Sequence, residues 1–231
     1  MKIKGIQKTS LVDYPGRLST VLFFGGCNFS CGYCHNPELA RNDNNLNSYS
    51  ESDVLNLLKD RKSLVDSVVI TGGEPTLFQE LSPFLEKIKE ISLFIKIDTN
   101  GSNPDVIENL LNRKIPDYIA IDIKTSPQKY KLAAGVNIDF NKIIKTIELV
   151  KESGIDYEVR TTCVPSYVNI DDFISIKNEI GNVKKYFLQQ FVNSNTLDPS
   201  LHECTPYTES VLNEFKDYVK NFSGFCGIRG I

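Results

Sequence analysis

Ser67-Val68-Val69-Ile70-Thr71-Gly72-Gly73-Glu74-Pro75 decides how this chain folds. A short apolar run of β-branched residues suits a strand covered on both faces, the kind found in parallel sheets. The glycine pair reads as a turn, and the amphipathic stretch 77–91 after it reads as a helix. The same order recurs along the chain. Apolar runs at 20–24, 67–71, 93–98, 117–123, 156–164 and 185–191 predict strands. Helical patterns near 51–62, 77–91, 104–113, 139–153, 170–180 and 207–221 lie between most of them.

Six β-then-α units imply an α/β fold, a parallel sheet with helices outside it. Six units fall short of a closed eight-fold barrel. The expected architecture is a partial (β/α)6 TIM-like barrel with a curved parallel sheet and outer helices. Local signals agree with it. Ser50 and Asp53 form a candidate capping box, and Ser153-Gly154 supplies a glycine stop for the fifth helix.

At 231 residues, with no low-complexity linker or composition break, the chain reads as a single domain over 1–231. Residues about 1–18 read as an N-terminal extension and about 205–231 as a C-terminal helix and tail. The end, Gly224-Phe225-Cys226-Gly227-Ile228-Arg229-Gly230-Ile231, reads as a closing strand or a flap. A net charge of -3 gives no sign of a nucleic-acid partner. No apolar run approaches the ~18 residues that cross a bilayer. The N-terminus lacks the apolar core of a signal peptide. The expected compartment is the cytoplasm, and scattered Cys163, Cys204 and Cys226 fit its reducing chemistry.

In α/β folds of this kind reactive residues sit where strands end and loops begin. Cys27, Cys31 and Cys34 follow the first strand with the spacing C-x3-C-x2-C. An iron–sulfur cubane normally takes four cysteines, so a local triplet suggests a cluster with one iron open to a non-protein ligand. Zinc is the competing reading, with His35 or a distant cysteine completing a closed tetrahedral site. Gly72-Gly73-Glu74-Pro75 follows the second strand, Asp98-Thr99-Asn100-Gly101 the third, and Asp122-Ile123-Lys124 ends the fourth. Arg160 lies in the fifth. Glycines admit close approach of a ligand, and Glu74 could accept from an ammonium group. Asp98 and Asp122 end apolar strands, where a carboxylate needs a cation or hydrogen bonds, and Lys124 and Arg160 are candidate cations.

Together these motifs resemble the radical S-adenosylmethionine superfamily. Cys34-His35-Asn36-Pro37, Asp98-Thr99-Asn100-Gly101, Asp122-Ile123-Lys124 and Val159-Arg160 through Val164-Pro165 look like the successive motifs of its glycyl-radical activating enzymes. Ser10-Leu11-Val12-Asp13-Tyr14-Pro15-Gly16 looks like the branch that activates anaerobic ribonucleoside-triphosphate reductase. The resemblance spans about residues 1–192. It implies one [4Fe-4S] cluster on Cys27, Cys31 and Cys34, with S-adenosylmethionine chelating the fourth iron. Reductive cleavage then yields a 5'-deoxyadenosyl radical that takes hydrogen from a glycine of a partner enzyme. The chemistry belongs to the cofactors, so no side chain is expected to act as acid or base.

Further roles come from the same resemblance. Tyr33 and His35 would line the nucleoside side of S-adenosylmethionine. Gly72, Gly73 and Glu74 would meet its amine, and Lys124 and Arg160 would hold its polar groups. Asp98, Thr99, Asp122 and the backbone of Ile123 match positions that bind a monovalent cation in pyruvate formate-lyase activators, and Asn100 belongs to the same turn. The implied partners are a glycyl-radical enzyme, first an anaerobic ribonucleotide reductase, and a flavodoxin or ferredoxin-type electron donor. Residues 36–66 hold no cysteine, which excludes a ferredoxin-like insert there. Gln189-Gln190-Phe191-Val192 stands where pyruvate formate-lyase activators carry a histidine near the adenine. Activation of another glycyl-radical enzyme, action on a small molecule, and a zinc-stabilised binding module remain open alternatives.

Overall fold

A computed structural model describes residues 2–231. Its strands are β1 (Ile3–Ser10), β2 (Ser19–Phe24), β3 (Ser67–Gly72), β4 (Phe94–Thr99), β5 (Tyr118–Asp122), β6 (Asp156–Cys163), β7 (Val183–Gln190) and β8 (Ser223–Arg229). They form a sheet in sequence order. β1 runs antiparallel to β2, whereas β2–β3, β3–β4, β6–β7 and β7–β8 pair in parallel. The helices are α1 (Pro37–Ala40), α2 (Glu51–Arg61), α3 (Leu81–Glu90), α4 (Pro104–Asn112), α5 (Tyr130–Ala134), α6 (Phe140–Glu152), α7 (Ile170–Ile180) and α8 (Glu209–Val219). The fold is α/β with a mostly parallel sheet. Contacts gather the chain into two compact units.

The first unit holds the chain up to Asn28, Glu38–Thr99 and Asp105–Ile119. Its parallel strands β2 and β3 are buried along nearly their whole length, which is why their sequences run apolar without alternation. Phe24 of β2 packs its ring against Phe78 and Phe84. Val21 and Val69 pack with Tyr14 and Tyr118 in a second buried cluster. Each such buried side chain stabilises the fold by about 1.5–3 kcal/mol. At α2, Ser50 Oγ accepts from the Asp53 amide at 3.1 Å and donates to the Asp53 carboxylate at 2.6 Å. The helix expected over 77–91 starts later, because Pro75–Leu77 forms a tight 3-10 turn first and α3 begins at Leu81.

β1 was not legible as a strand. Of its eight residues only Ile3 and Ser10 are buried, so an antiparallel edge strand carried no apolar run.

The second unit holds Phe29–Pro37, Asn100–Pro104 and Ala120–Ile231. Its helices bury residues at helical spacing: Ile143, Ile147 and Val150 on α6, Phe173, Ile176 and Ile180 on α7, Leu212, Phe215 and Val219 on α8. Tyr186 of β7 meets Phe173 and Phe222 edge-on, the geometry aromatic quadrupoles favour. Asn169 and Asp172 form a reciprocal capping box at the start of α7. Helix α6 stops at Ser153, with Gly154 at φ +78. The C-terminal stretch is β8, paired in parallel with β7.

Candidate functional site

The cysteine loop is tied at both ends by backbone bonds. Where β2 gives out, the amides of Gly26 and Cys27 donate to the carbonyls of Leu39 and Ala40, at 2.7 and 3.0 Å. Further on, Ser30 donates to the Ala134 carbonyl at 2.8 Å and Cys34 to Cys31 at 3.0 Å. Cys27, Cys31 and Cys34 are in no disulfide, Cys31 buried and the other two partly exposed. Among the described residues, no three His, Cys, Asp or Glu side chains stand together as a ready-made metal-ion site. The fit to a cluster rests on the donor set, three cysteines on one loop and outside any disulfide, and on an orphaned hydroxyl in the same loop.

That hydroxyl is Tyr33 Oη. The side chain is buried, its ring packs on Tyr167 at 5.8 Å, and its hydroxyl has no hydrogen-bond partner among the described residues. A buried hydroxyl left unpaired costs about 1–3 kcal/mol, so the position calls for a ligand. Burial pushes its pKa well up, against the opposing pull of Lys124.

In the first unit the glycine turn serves close approach. A Cβ on Gly72 would lie 2.4 Å from the Phe24 amide nitrogen, and one on Gly73 would lie 2.0 Å from the Gly26 carbonyl. Gly73 and Glu74 donate their amides to Phe24 and Gly26, at 2.7 and 2.8 Å, so the turn is stitched to the start of the cysteine loop. Glu74 is 1% exposed, and its Oε1 accepts from the Thr76 amide at 3.1 Å, the Thr76 hydroxyl at 2.5 Å and the Thr99 hydroxyl at 2.9 Å. Two of the expected residues, Glu74 and Thr99, are thereby joined. Asp98 pairs with the Lys96 ammonium and accepts from the Thr71 hydroxyl at 3.2 Å.

In the second unit Asp122, Lys124 and Arg160 come together. Arg160 Nε donates to Asp122 Oδ1 at 2.7 Å, and Lys124 Nζ to Oδ2 at 3.2 Å. Desolvation alone would raise the Asp122 pKa, but the two cations outweigh it and hold the carboxyl well below its ordinary value. For Lys124 burial pulls the pKa down, and Asp122 more than reverses this, so the ammonium stays charged. The Lys124 amide also donates to Tyr130 Oη at 3.3 Å. Ile123 donates its amide to the Arg160 carbonyl at 2.9 Å, and its own carbonyl accepts from the Thr161 hydroxyl at 2.8 Å. Asn100 Oδ1 caps the Ser102 amide at 3.0 Å, a turn-forming role. His35 is exposed and stacks on buried Phe191, ring centroids 6.3 Å apart.

Sequence reasoning passed over Lys96, Thr76, Phe191 and Glu158. Lys96 and Glu158 each carried a signal: a charge flanked on both sides by apolar or aromatic residues, two residues from a charge of opposite sign and hence on the same face. Among the described residues no helix is long and apolar enough to cross a membrane.

With this geometry in view, comparison with known proteins defines the class. The family model of the Radical SAM superfamily matches residues 21–180. A Methanocaldococcus jannaschii protein, provisionally named a glycyl-radical enzyme activating enzyme, is 34% identical over 99% of this chain and 96% of its own. The pyruvate formate-lyase-activating enzyme of Clostridium pasteurianum is 31% identical, covering 80% of this chain and 79% of its own. Among solved structures, Streptococcus suis SuiB bound to S-adenosylmethionine matches 90% of this chain at 18% identity with a TM-score of 0.66. This chain spans only about half that protein (51%), and the likeness speaks to the fold alone.

The chain belongs to the radical S-adenosylmethionine superfamily and, within it, to the glycyl-radical enzyme activating enzymes. It is an enzyme of that kind. Membership implies S-adenosylmethionine, a [4Fe-4S] cluster and a glycyl-radical enzyme as partner.

Proposed function

We propose that this protein activates an anaerobic ribonucleoside-triphosphate reductase by installing a glycyl radical on it. The observation that carries the reading is the three-thiol loop Cys27, Cys31, Cys34 in a chain related over nearly its whole length to an activating enzyme. When bound, the cluster and S-adenosylmethionine supply the radical chemistry, reductive cleavage to a 5'-deoxyadenosyl radical that takes the glycine hydrogen. The protein's own groups bind, orient and exclude water.

The three cysteines hold the cluster. Arg160 and Lys124, cationic and oriented by Asp122, suit the carboxylate end of S-adenosylmethionine. The unpaired Tyr33 hydroxyl and the His35 ring on Phe191 suit its nucleoside end. Gly72 and Gly73, seated against the backbone of Phe24 and Gly26, form the turn assigned to its amine, with Glu74 and Thr99 stiffening that turn. The monovalent cation implied at Asp98, Thr99, Asp122 and Ile123 is left out of the proposal, since Lys96 already balances Asp98 and two cations balance Asp122. The electron donor is a flavodoxin or ferredoxin-type protein, and cysteines outside any disulfide fit a cytoplasmic setting.

The reductase is favoured over pyruvate formate-lyase by the Ser10–Gly16 stretch and by Gln189 and Gln190 in place of a histidine. A second reading, activation of pyruvate formate-lyase, draws on the Clostridium relative. The test is electron paramagnetic resonance after mixing reduced protein and S-adenosylmethionine with each partner. A glycyl doublet with the reductase alone supports the proposal; a doublet with the lyase alone replaces it by the second reading.

A further inference from the structure

Arg229 sits on β8, in the C-terminal stretch to which neither the motifs nor the proposed chemistry gives a role. Its guanidinium makes two bonds to Glu158 of β6, Nη1 to Oε1 at 2.7 Å and Nη2 to Oε2 at 2.8 Å. Glu158 is fully buried. The same Oε1 lies 3.9 Å from Nη1 of Arg160, and Arg160 turns its Nε to Asp122 at 2.7 Å. A chain of alternating charge thus runs from the C-terminal strand to the cation that the proposed function assigns to S-adenosylmethionine.

The reach of Arg229 is built into the sheet. Register pairs Arg160 with Phe187 and Phe187 with Gly227, while Gln189 pairs with Arg229. Arg229 therefore starts two strands away from β6 and must cross the Phe187 ring to meet Glu158. It does so lying flat, its Cζ 3.5 Å from the ring centroid. Gly227 leaves the space, because a Cβ there would come within 2.7 Å of the ring. A planar, always-charged fork stacked on an aromatic face is a job for arginine, not lysine.

Two guanidiniums compete for one buried carboxylate. A buried carboxylate without a well-placed cation is expensive, so Glu158 will take the best partner offered. With Arg229 bidentate on it, Glu158 is balanced, and Arg160 stays beyond hydrogen-bond distance with its Nε on Asp122. Without Arg229, Arg160 itself stands within 4 Å as a replacement. We infer that Arg229 is a positioning residue for the S-adenosylmethionine site: by neutralising Glu158 it keeps Arg160 turned toward Asp122 and the ligand. The inference rests on the reading of Arg160 as a ligand-holding residue.

The test is the S-adenosylmethionine dissociation constant of cluster-loaded, unreduced protein by equilibrium dialysis, which needs no turnover. Arg229→Gln is expected to weaken binding about tenfold, the scale on which supporting contacts act on a site. Arg229→Lys should recover only part of the loss. The double variant Glu158→Gln with Arg229→Gln removes the competing charge and should return binding to within about twofold of wild type. If the double variant binds as weakly as Arg229→Gln, the residue acts only by holding the tail, and the inference is overturned. Should Arg229→Gln not fold, Arg229→Lys and the double variant decide the same point, with wild-type-like binding by the double variant in support and weak binding against. Arg160→Gln separates the two layers. Unchanged binding by it sinks the reading of Arg160, whereas loss there with none in Arg229→Gln sinks the inference alone.

Discussion

Lys96 and Asp98 stand two residues apart on β4 with the lysine ammonium on the aspartate carboxylate, and the lysine side chain is only 1% exposed. The same ammonium lies over the Tyr118 ring, 5.9 Å from its centroid. Two charges in that setting are bound to each other's presence. Lys96→Met should cost about 3 kcal/mol or more, the range for breaking a buried pair by removing one member. Adding Asp98→Asn should recover most of it. Urea unfolding of the three proteins checks this; a single variant as stable as wild type would contradict it.

The same pairing bears on ions. With Lys96 on Asp98, and with Arg160 and Lys124 on Asp122, neither carboxylate needs a free cation to balance it. S-adenosylmethionine affinity in potassium and in choline chloride at equal ionic strength should differ by less than about threefold, below the value of one hydrogen bond to a charged group. A larger gain in potassium would restore the cation to the site.

Asp122 sets a dependence on acid. Its folded pKa lies below the ordinary carboxylate value because Arg160 and Lys124 outweigh its desolvation. A depressed folded pKa means stability that is present above the unfolded value, about 3.9. That stability is lost as pH falls below it, since the unfolded chain takes up the proton first. The gap in unfolding free energy between wild type and Asp122→Asn should be full at neutral pH and shrink steadily below about pH 4. A gap that does not change with pH would remove the ion cluster from the account.

Gly73 tests the close approach of the turn after β3 to the cysteine loop. Gly73→Ala drives a methyl group onto the Gly26 carbonyl, backbone that cannot swing aside. The expected cost is about 1–3 kcal/mol, with a fall in iron bound after reconstitution. Gly154→Ala is the control, at φ +78 with no atom of the described residues within 4 Å of the added carbon. It should cost about 1 kcal/mol through backbone strain alone and leave iron binding intact. Equal iron loss in both would mean the turn has no special relation to the loop.

The parallel core was readable because its strands are buried on both faces and therefore appear as uninterrupted apolar runs, as in Val68-Val69-Ile70 and Ile119-Ala120-Ile121. The edges were not. β1 buries little more than Ile3, and β8 alternates exposed Phe225 with buried Cys226, so neither pattern separates a strand from an extension or flap. Motif residues were readable by position after strand ends. Their partners were not, because pairs such as Glu74 with Thr99 or Glu158 with Arg229 are 25 and 71 positions apart and meet only in the fold. Asn100 shows the limit from the other side, its place in a motif being legible while its work as a turn cap at Ser102 was not.

The central claim is that Cys27, Cys31 and Cys34 hold the cluster at which S-adenosylmethionine is cleaved. The direct measurement is 5'-deoxyadenosine and methionine formed by anaerobically reconstituted, reduced protein, for wild type and each single Cys→Ala variant. Wild type should release both products in equal amounts, and each variant should release neither while keeping its fold. Cleavage retained by a folded single variant, or a wild type that binds zinc and forms no product, would contradict the account.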